Sequence, residues 1–182
     1  PWLFLAFCFE WAEFLEEGFG YMSRIPVQLD GSNNGLQNFS AMLRDPVGGK
    51  ATNLLPSDTP QDIYQDVADL VLEKVKVLAE SGDTMAIQWR DSGFINRKLC
   101  KRPVMVVPYG GTRHSCRGYV LQYLKDEFAK GEVNPWAQED HDMFLPSFWL
   151  SQVLWEAIGE IVIGARECMK WIQDCSSIVA KE

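Results

Sequence analysis

The stretch IPVQLDGSNNGLQNFSAML, residues 25–43, contains the junction on which the fold reading turns. Ile25, Val27 and Leu29 alternate with polar positions, the period of a strand with one buried face, and predict a strand over residues 24–29. Asp30 stands where that strand stops. Gly31-Ser32-Asn33-Asn34-Gly35 then reads as a turn, and the pattern becomes helical from about Asn34 to Leu43. Asp30 is therefore either a carboxylate held out at the end of a strand or a polar residue at a terminus.

The rest of the chain bounds the choice. Its 182 residues suffice for one domain with a real core, or for parts of two. Hydrophobic residues make up 47% and charged residues 23% of the chain. That is an ordinary globular balance, and it excludes disorder. Seven Trp and ten Phe predict heavily aromatic packing. The opening PWLFLAFCFEWAEFLEEGF lacks a basic leader and is broken by Glu10, Glu13, Glu16 and Glu17, which argues against a signal peptide or a membrane span. It reads as a packed helix over residues 1–19, ending near Gly18 and Gly20, in a chain expected to be an internal piece of a longer protein.

The five cysteines form no Cys-x-x-Cys pair, and the only histidines are His114 and His141, so neither a disulfide framework nor a zinc site is expected. Reduced cysteines of a cytoplasmic protein are the simpler reading. The net charge of −8 disfavours nucleic acid binding if taken whole. Locally the balance reverses: residues 90–117 carry Arg90, Arg97, Lys98, Lys101, Arg102, Arg113 and Arg117 against Asp91 alone, so an anion site fits an otherwise acidic protein.

Beyond Leu43, the segment RDPVGGKATNLLPSDTP reads as a connecting loop. A helix is predicted from a cap at Ser57 or Asp58, with Pro60 in its first turn, to about Glu80. Further helices are expected from about Asn96 to Pro108, from Ser115 to Lys130, and from Pro146 to Ala180 with a break near Gly159 or Gly164. The fold class is α+β and predominantly helical.

In RKLCKRPVMVVPYGG, residues 97–111, Arg97, Lys101, Met105 and Tyr109 recur every four residues. On one helix they would form a stripe about 18 Å long, cations first and an aromatic last. That order suits a nucleotide: fixed cations for phosphates, an apolar surface for base or sugar. On spacing alone, a solvated basic face is the commoner reading. Pro103 inside the helix should cost on the order of 3 kcal/mol or kink it.

The two stretches together resemble a known family. DGSNNGLQNFSAMLRDPVGGKATNLLPSDTPQDIY, residues 30–64, resembles the first catalytic motif of the single-subunit RNA polymerases of bacteriophages, of which mitochondrial RNA polymerases have a more diverged version. RKLCKRPVMVVPYGG resembles the same family's Arg-x-x-x-Lys helix closed by Tyr-Gly. The flanks FLAFCFEWA (4–12) and LWEAIGEIVIGARECMKWI (154–172) look like family sequence too. Related DNA polymerases share the basic helix but follow their aspartate with bulky residues. Here Gly31 and Ser32 follow, which suits a ribose.

The resemblance implies part of a right-hand fold: residues 1–55 belonging to the palm, and 56–182 to partial fingers with the nucleotide-binding helix at 96–109. It implies Asp30 as a catalytic, metal-binding aspartate, with the Gly31 carbonyl as an additional ligand, and Lys101 as the catalytic lysine. Arg97 and Arg102 look like triphosphate contacts, Tyr109 like the tyrosine that senses the sugar, and Met105 and Tyr64 like neighbours of the nucleotide. Implied partners are a DNA template, nascent RNA, ribonucleoside triphosphates and Mg²⁺, without a membrane, in a polymerase working as a single chain in the cytoplasm of an infected bacterium.

The family's second metal-binding aspartate lies in a His-Asp-Ser motif. His141-Asp142-Met143-Phe144 is not read as that motif: it follows the Tyr-Gly motif too soon and has Met for Ser. The isolated chain is accordingly expected not to polymerise. Two other functions compete: a non-catalytic nucleotide- or nucleic-acid-binding helical module, and a purely structural helical domain. His114 fits no role in the pattern.

Overall fold

The computed structural model describes residues 1–27, 29–137 and 143–181, so His141 and Asp142 lie outside the described residues. The chain divides into two compact units, Pro1–Asp30 and Gly31–Glu182.

In the first unit, α1 (Trp2–Glu17) runs into a short 3₁₀ turn, Gly18–Gly20. Gly18 ends the helix at φ 72°. That left-handed conformation favours glycine. Phe7, Trp11 and Phe14 form an aromatic row along α1. The Phe7 and Trp11 ring centroids are 6.0 Å apart, and those of Trp11 and Phe14 are 5.3 Å apart. The glutamates that interrupt the apolar run act as acceptors for the returning chain: Tyr21 Oη donates to Glu13 Oε2 (2.7 Å) and the Arg24 amide to Glu10 Oε2 (2.9 Å). Hydrogen bonding by Ser23 and Arg24 holds the Glu10 carboxyl below its ordinary range.

Two expectations fail in this unit. The packed helix is not packed: no α1 residue is buried, and Trp2 and Phe4 are 81% and 72% exposed. The buried strand over 24–29 is absent; the described residues there are irregular, and Val27 and Leu29 are exposed. Alternation alone does not make a strand, because a ladder needs a neighbouring strand to take up its N–H and C=O groups. Among the described residues there is none.

Among its described residues, the regular elements of the second unit are helices: α2 (Asn34–Leu43), α3 (Pro46–Ala51), α4 (Ile63–Glu80), α5 (Thr84–Ser92), α6 (Arg97–Met105), α7 (Arg113–Phe128), α8 (Phe144–Ile161) and α9 (Ile163–Val179). The central helix is α4, whose buried stripe of Val67, Ala68, Val71 and Val75 packs against α5, α6 and α8. Trp89 and Trp136 are fully buried in this core, 4.7 Å apart. Both indole N–H groups are satisfied, by the Pro146 carbonyl and Gln88. Helix α8 packs on α7 and bends through 102° into α9 at Val162, between the two expected glycines. Among the described residues, no single helix is long and apolar enough to cross a membrane.

Caps account for the boundaries the sequence reading missed. The expected loop after Leu43 contains α3, because Asp45 Oδ1 accepts from Val47 N and Gly48 N while Pro46 supplies the first helical residue. Helix α4 starts at Ile63 with Asp62 as cap, not at Ser57 or Asp58. Asn53 brackets the Gln61 backbone, accepting its N–H (2.7 Å) and donating to its carbonyl (2.8 Å), which closes 53–61 as a loop. Asp83 caps α5 and Asn96 caps α6.

Candidate nucleotide-binding site

Helix α6 is short and two-faced. Leu99, Cys100, Pro103 and Val104 are buried, while Arg97, Lys98, Lys101, Arg102 and Met105 are exposed. The four-residue stripe holds from Arg97 to Met105 and then breaks. The α-helix ends at Met105, and Val107–Tyr109 form a 3₁₀ turn closed by Gly110 at φ 83°. Pro103 sits on the buried face, two residues before the helix ends; lacking an N–H, it removes the bond that would run to the Leu99 carbonyl.

The cations of α6 are tethered in different directions. Arg97 Nε donates to Asp62 Oδ2 (2.5 Å), and its guanidinium lies 5.2 Å from the centre of the Tyr64 ring. Tyr64 is buried and donates its hydroxyl to the Ser32 carbonyl (3.2 Å), so Arg97, Tyr64 and the segment just after Asp30 form one connected row. On the other side, Lys98 pairs with Glu127 of α7 and lies over the Tyr123 ring. Glu127 and Lys98 each favour the other's charged form, so the ammonium is pushed above its ordinary range; Lys130 and Lys98 hold the carboxyl below its own. Arg102 lies over Tyr119 of α7 (5.7 Å).

Lys101 stands between these tethered neighbours. It is exposed and, among the described residues, has no ion-pair partner. With Arg97 one turn away, the like charges repel by a few tenths of a kcal/mol until an anion joins them. The arrangement is a cation presented to solvent by a helix whose other charges are already anchored.

The turn carrying Tyr109 is set against α2. A Cβ at Gly35 would lie 2.5 Å from Pro108 Cγ and 3.4 Å from Tyr109 Oη, so glycine permits the close approach. Tyr109 itself is 76% exposed. Gly31 is covered by the side-chain oxygens of Asn34 and Gln37, which occupy the place a Cβ would take. Asn53 Nδ2 donates to Ser32 Oγ (2.6 Å) and Asn33 Oδ1 caps α2, while the buried Asn33 Nδ2 has no partner among the described residues.

The second unit thus brings Gly31, Tyr64, Arg97, Lys101, Arg102, Met105 and Tyr109 onto one framework. Asp30 closes the first unit and is exposed. Oxygen donors suit Mg²⁺, and Asp30 with the Gly31 carbonyl fit it in kind. Among the described residues, no cluster of three or more metal-ligating side chains is present. Sequence reasoning missed Asp62, Asn53 and Gly35. For Asp62 the signal was present, an acid directly before the apolar Ile63-Tyr64 start of a helix.

Comparison with known proteins gives the family. A model of the DNA-dependent RNA polymerase family matches residues 1–182. The chain is 34% identical to the DNA-directed RNA polymerase of Enterobacteria phage K11 and 33% identical to T7 RNA polymerase of Escherichia phage T7, over 100% of its own length in both. It is also 34% identical, over 99% of its length, to the human mitochondrial DNA-directed RNA polymerase. It spans 22% and 23% of the two phage proteins and 14% of the human one. The chain belongs to the DNA-dependent RNA polymerase family, in its phage and mitochondrial branch.

Proposed function

We propose that this chain is the part of a phage-type DNA-directed RNA polymerase that receives the incoming ribonucleoside triphosphate, with residues 1–55 in the palm and 56–182 in the fingers. The observation that carries the reading is Lys101: exposed, without a carboxylate partner among the described residues, and flanked by Arg97 and Arg102. Three cations held in this order give a triphosphate a point charge between two planar forks. Lys101 would neutralise charge that develops at the transferred phosphoryl and on the leaving pyrophosphate. Met105 and Tyr109 would bound the sugar and base.

Asp30 and the Gly31 carbonyl would be a partial ligand set for Mg²⁺, with the second carboxylate supplied from outside the chain. Bound there, Mg²⁺ would supply activation of the primer 3′-hydroxyl and stabilisation of the leaving oxygen. DNA template and nascent RNA are the proposed partners. An infected bacterial cytoplasm is the proposed setting, supported by the phage relatives.

A titration of the 182-residue chain with a ribonucleoside triphosphate and Mg²⁺ tests the reading. Lys101→Ala should weaken binding about tenfold or more, while Asp30→Ala should barely change it. Unchanged binding in Lys101→Ala would return α6 to a solvated basic face. In a template-directed extension assay the chain alone should be inactive. Robust, Asp30-dependent extension by these residues alone would overturn the partial ligand set.

A further inference from the structure

The turn that carries Tyr109 is backed by a helix from the far end of the chain. Helix α9 packs on Val107–Tyr109 and on α2. A Cβ at Gly110 would lie 3.9 Å from Met169 Cε, so the Met169 side chain abuts the turn. Helix α9 comes to this place through the 102° bend at Val162. No side chain caps the start of α9, and Ala165 is its one buried residue. Caps and core packing therefore do little to fix the bend.

Arg166 spans it. Its guanidinium lies 5.3 Å from the centre of the Trp155 ring on α8. It also fills the place of a side chain at Gly159: a Cβ there would be 1.6 Å from Nη1 and 2.9 Å from Cζ. Among the described residues Arg166 has no ion-pair partner, so the ring and the glycine notch are what hold it. Gly159 stands inside α8, where alanine is the better helix former. The helix gives up propensity at this position, and the guanidinium takes the space. Trp155, Gly159 and Arg166 line the same groove, of about 450 Å³, as Val107, Gly110 and Gly111 at the Tyr109 turn.

We propose that Arg166 is a positioning residue for the sugar of the incoming nucleotide. Clasped between the Trp155 ring and the Gly159 notch, it sets the α8–α9 bend. The bend sets α9, and α9 through Met169 sets the turn of Tyr109 and Gly110. Arg166 acts at a distance and touches no reacting atom. The proposal rests on the reading above in which Tyr109 bounds the sugar. The cations of α6 are held by α4 and α7 instead, so loss of the clasp should leave the phosphate end of the site as it is.

Calorimetric titration of the 182-residue chain with a ribonucleoside triphosphate and with inorganic tripolyphosphate, each with Mg²⁺, tests the proposal. The ratio of the two affinities isolates what sugar and base add. Arg166→Ala should lower that ratio about two- to fivefold, the range of one cation–ring contact, and leave tripolyphosphate binding unchanged. Gly159→Ala approaches from the opposite partner. Its methyl group evicts the flexible guanidinium, so it should lower the ratio equally while holding the melting temperature. The double variant should be no worse than either single one, since both remove the same contact. Arg166→Lys returns a cation to the ring and should recover most of the loss. An equal loss for both ligands in Arg166→Ala overturns the clasp. So does an unchanged ratio in Gly159→Ala, a double variant whose effects add, or a lysine variant no better than alanine. Tyr109→Ala separates the clasp from the reading beneath it. An unchanged ratio there sinks that reading and the role of Arg166 with it. A lowered ratio there, with unchanged ratios in Arg166→Ala and Gly159→Ala, sinks the clasp alone.

Discussion

Asp62 has two tasks, and Asp62→Asn separates them. Its Oδ1 caps α4 by accepting from Tyr64 N (3.1 Å) and Gln65 N (3.4 Å), while its Oδ2 holds Arg97. Asparagine caps about as well as aspartate, so the helix start survives the change. The ion pair is lost, but its side chains are 48% and 39% exposed. Screened pairs of that kind contribute about 0–1 kcal/mol. Stability should therefore fall by less than about 1 kcal/mol, or roughly 2–4 °C in melting temperature for a chain of this size. Asp62→Ala loses the cap as well and should cost about 1–2 kcal/mol more. Binding should move the other way. A triphosphate that recruits Arg97 has to draw it from Asp62, and with that competitor gone up to about 1 kcal/mol passes to the ligand, about fivefold in Kd. Calorimetric titration with a ribonucleoside triphosphate should thus show Asp62→Asn binding about two- to fivefold more tightly at low salt, with the gain shrinking as salt rises. Unchanged or weaker binding in Asp62→Asn would refute the idea that Arg97 is shared between carboxylate and triphosphate.

Gly35→Ala sets helix propensity against packing. Alanine adds about 1 kcal/mol to α2. Its Cβ meets the rigid Pro108 ring at 2.5 Å. Overpacking of this kind costs about 1–3 kcal/mol. Net stability should change by less than about 2 kcal/mol, the difference of those two effects. Displacement of the Val107–Tyr109 turn should meanwhile lower nucleotide affinity severalfold. Thermal melts and a fluorescence titration read the two separately, and full affinity would mean that α2 does not position Tyr109. Cys100 and Cys116 give a pH prediction. Burial pushes both thiols up to about 12 from an ordinary 9.0, so the folded state stays protonated where the unfolded chain ionises. Stability from these groups is present in full below pH 9 and falls as pH rises from about 9 towards 12, by on the order of 1 kcal/mol per thiol at pH 10. Denaturant melts between pH 8 and 10 should show this slope flattened in Cys100→Ala/Cys116→Ala; at pH 8 an alkylating reagent should modify the exposed Cys8 and spare both buried thiols.

Helix α2 was legible to the residue because a turn of Gly, Ser and Asn leads directly into an apolar period, and Asn33 is a cap by chemistry. The exposed face of α6 was legible for the same reason: its apolar and charged residues alternate at helical spacing. What failed depended on partners elsewhere. Ile25, Val27 and Leu29 carry strand periodicity, but pairing is a property of two segments, and no single segment declares its mate. Tyr109 was placed on a continuous stripe by counting in fours, which presumes an unbroken helix; Pro108 and Gly110 turn the chain first. The Arg97–Asp62 pair spans 35 residues, and nothing in the local pattern of either residue points to the other.

The way α6 is held bears on why its charges are not interchangeable. Its buried face, Leu99, Cys100 and Val104, fixes depth and rotation against α4 and α7, and a lost buried methylene there would loosen every cation at once. Arg97 is steered by a carboxylate and a ring on the α4 side; Lys98 and Arg102 are steered by rings and a carboxylate on the α7 side. Each of these contacts uses part of its side chain's charge or planar surface. At position 101 lysine offers a compact ammonium on a flexible stem, where arginine would present a planar fork. Among the described residues, Lys101 thus keeps its ammonium without an acid partner, whereas Arg97, Lys98 and Arg102 are each held by a neighbouring ring or acid.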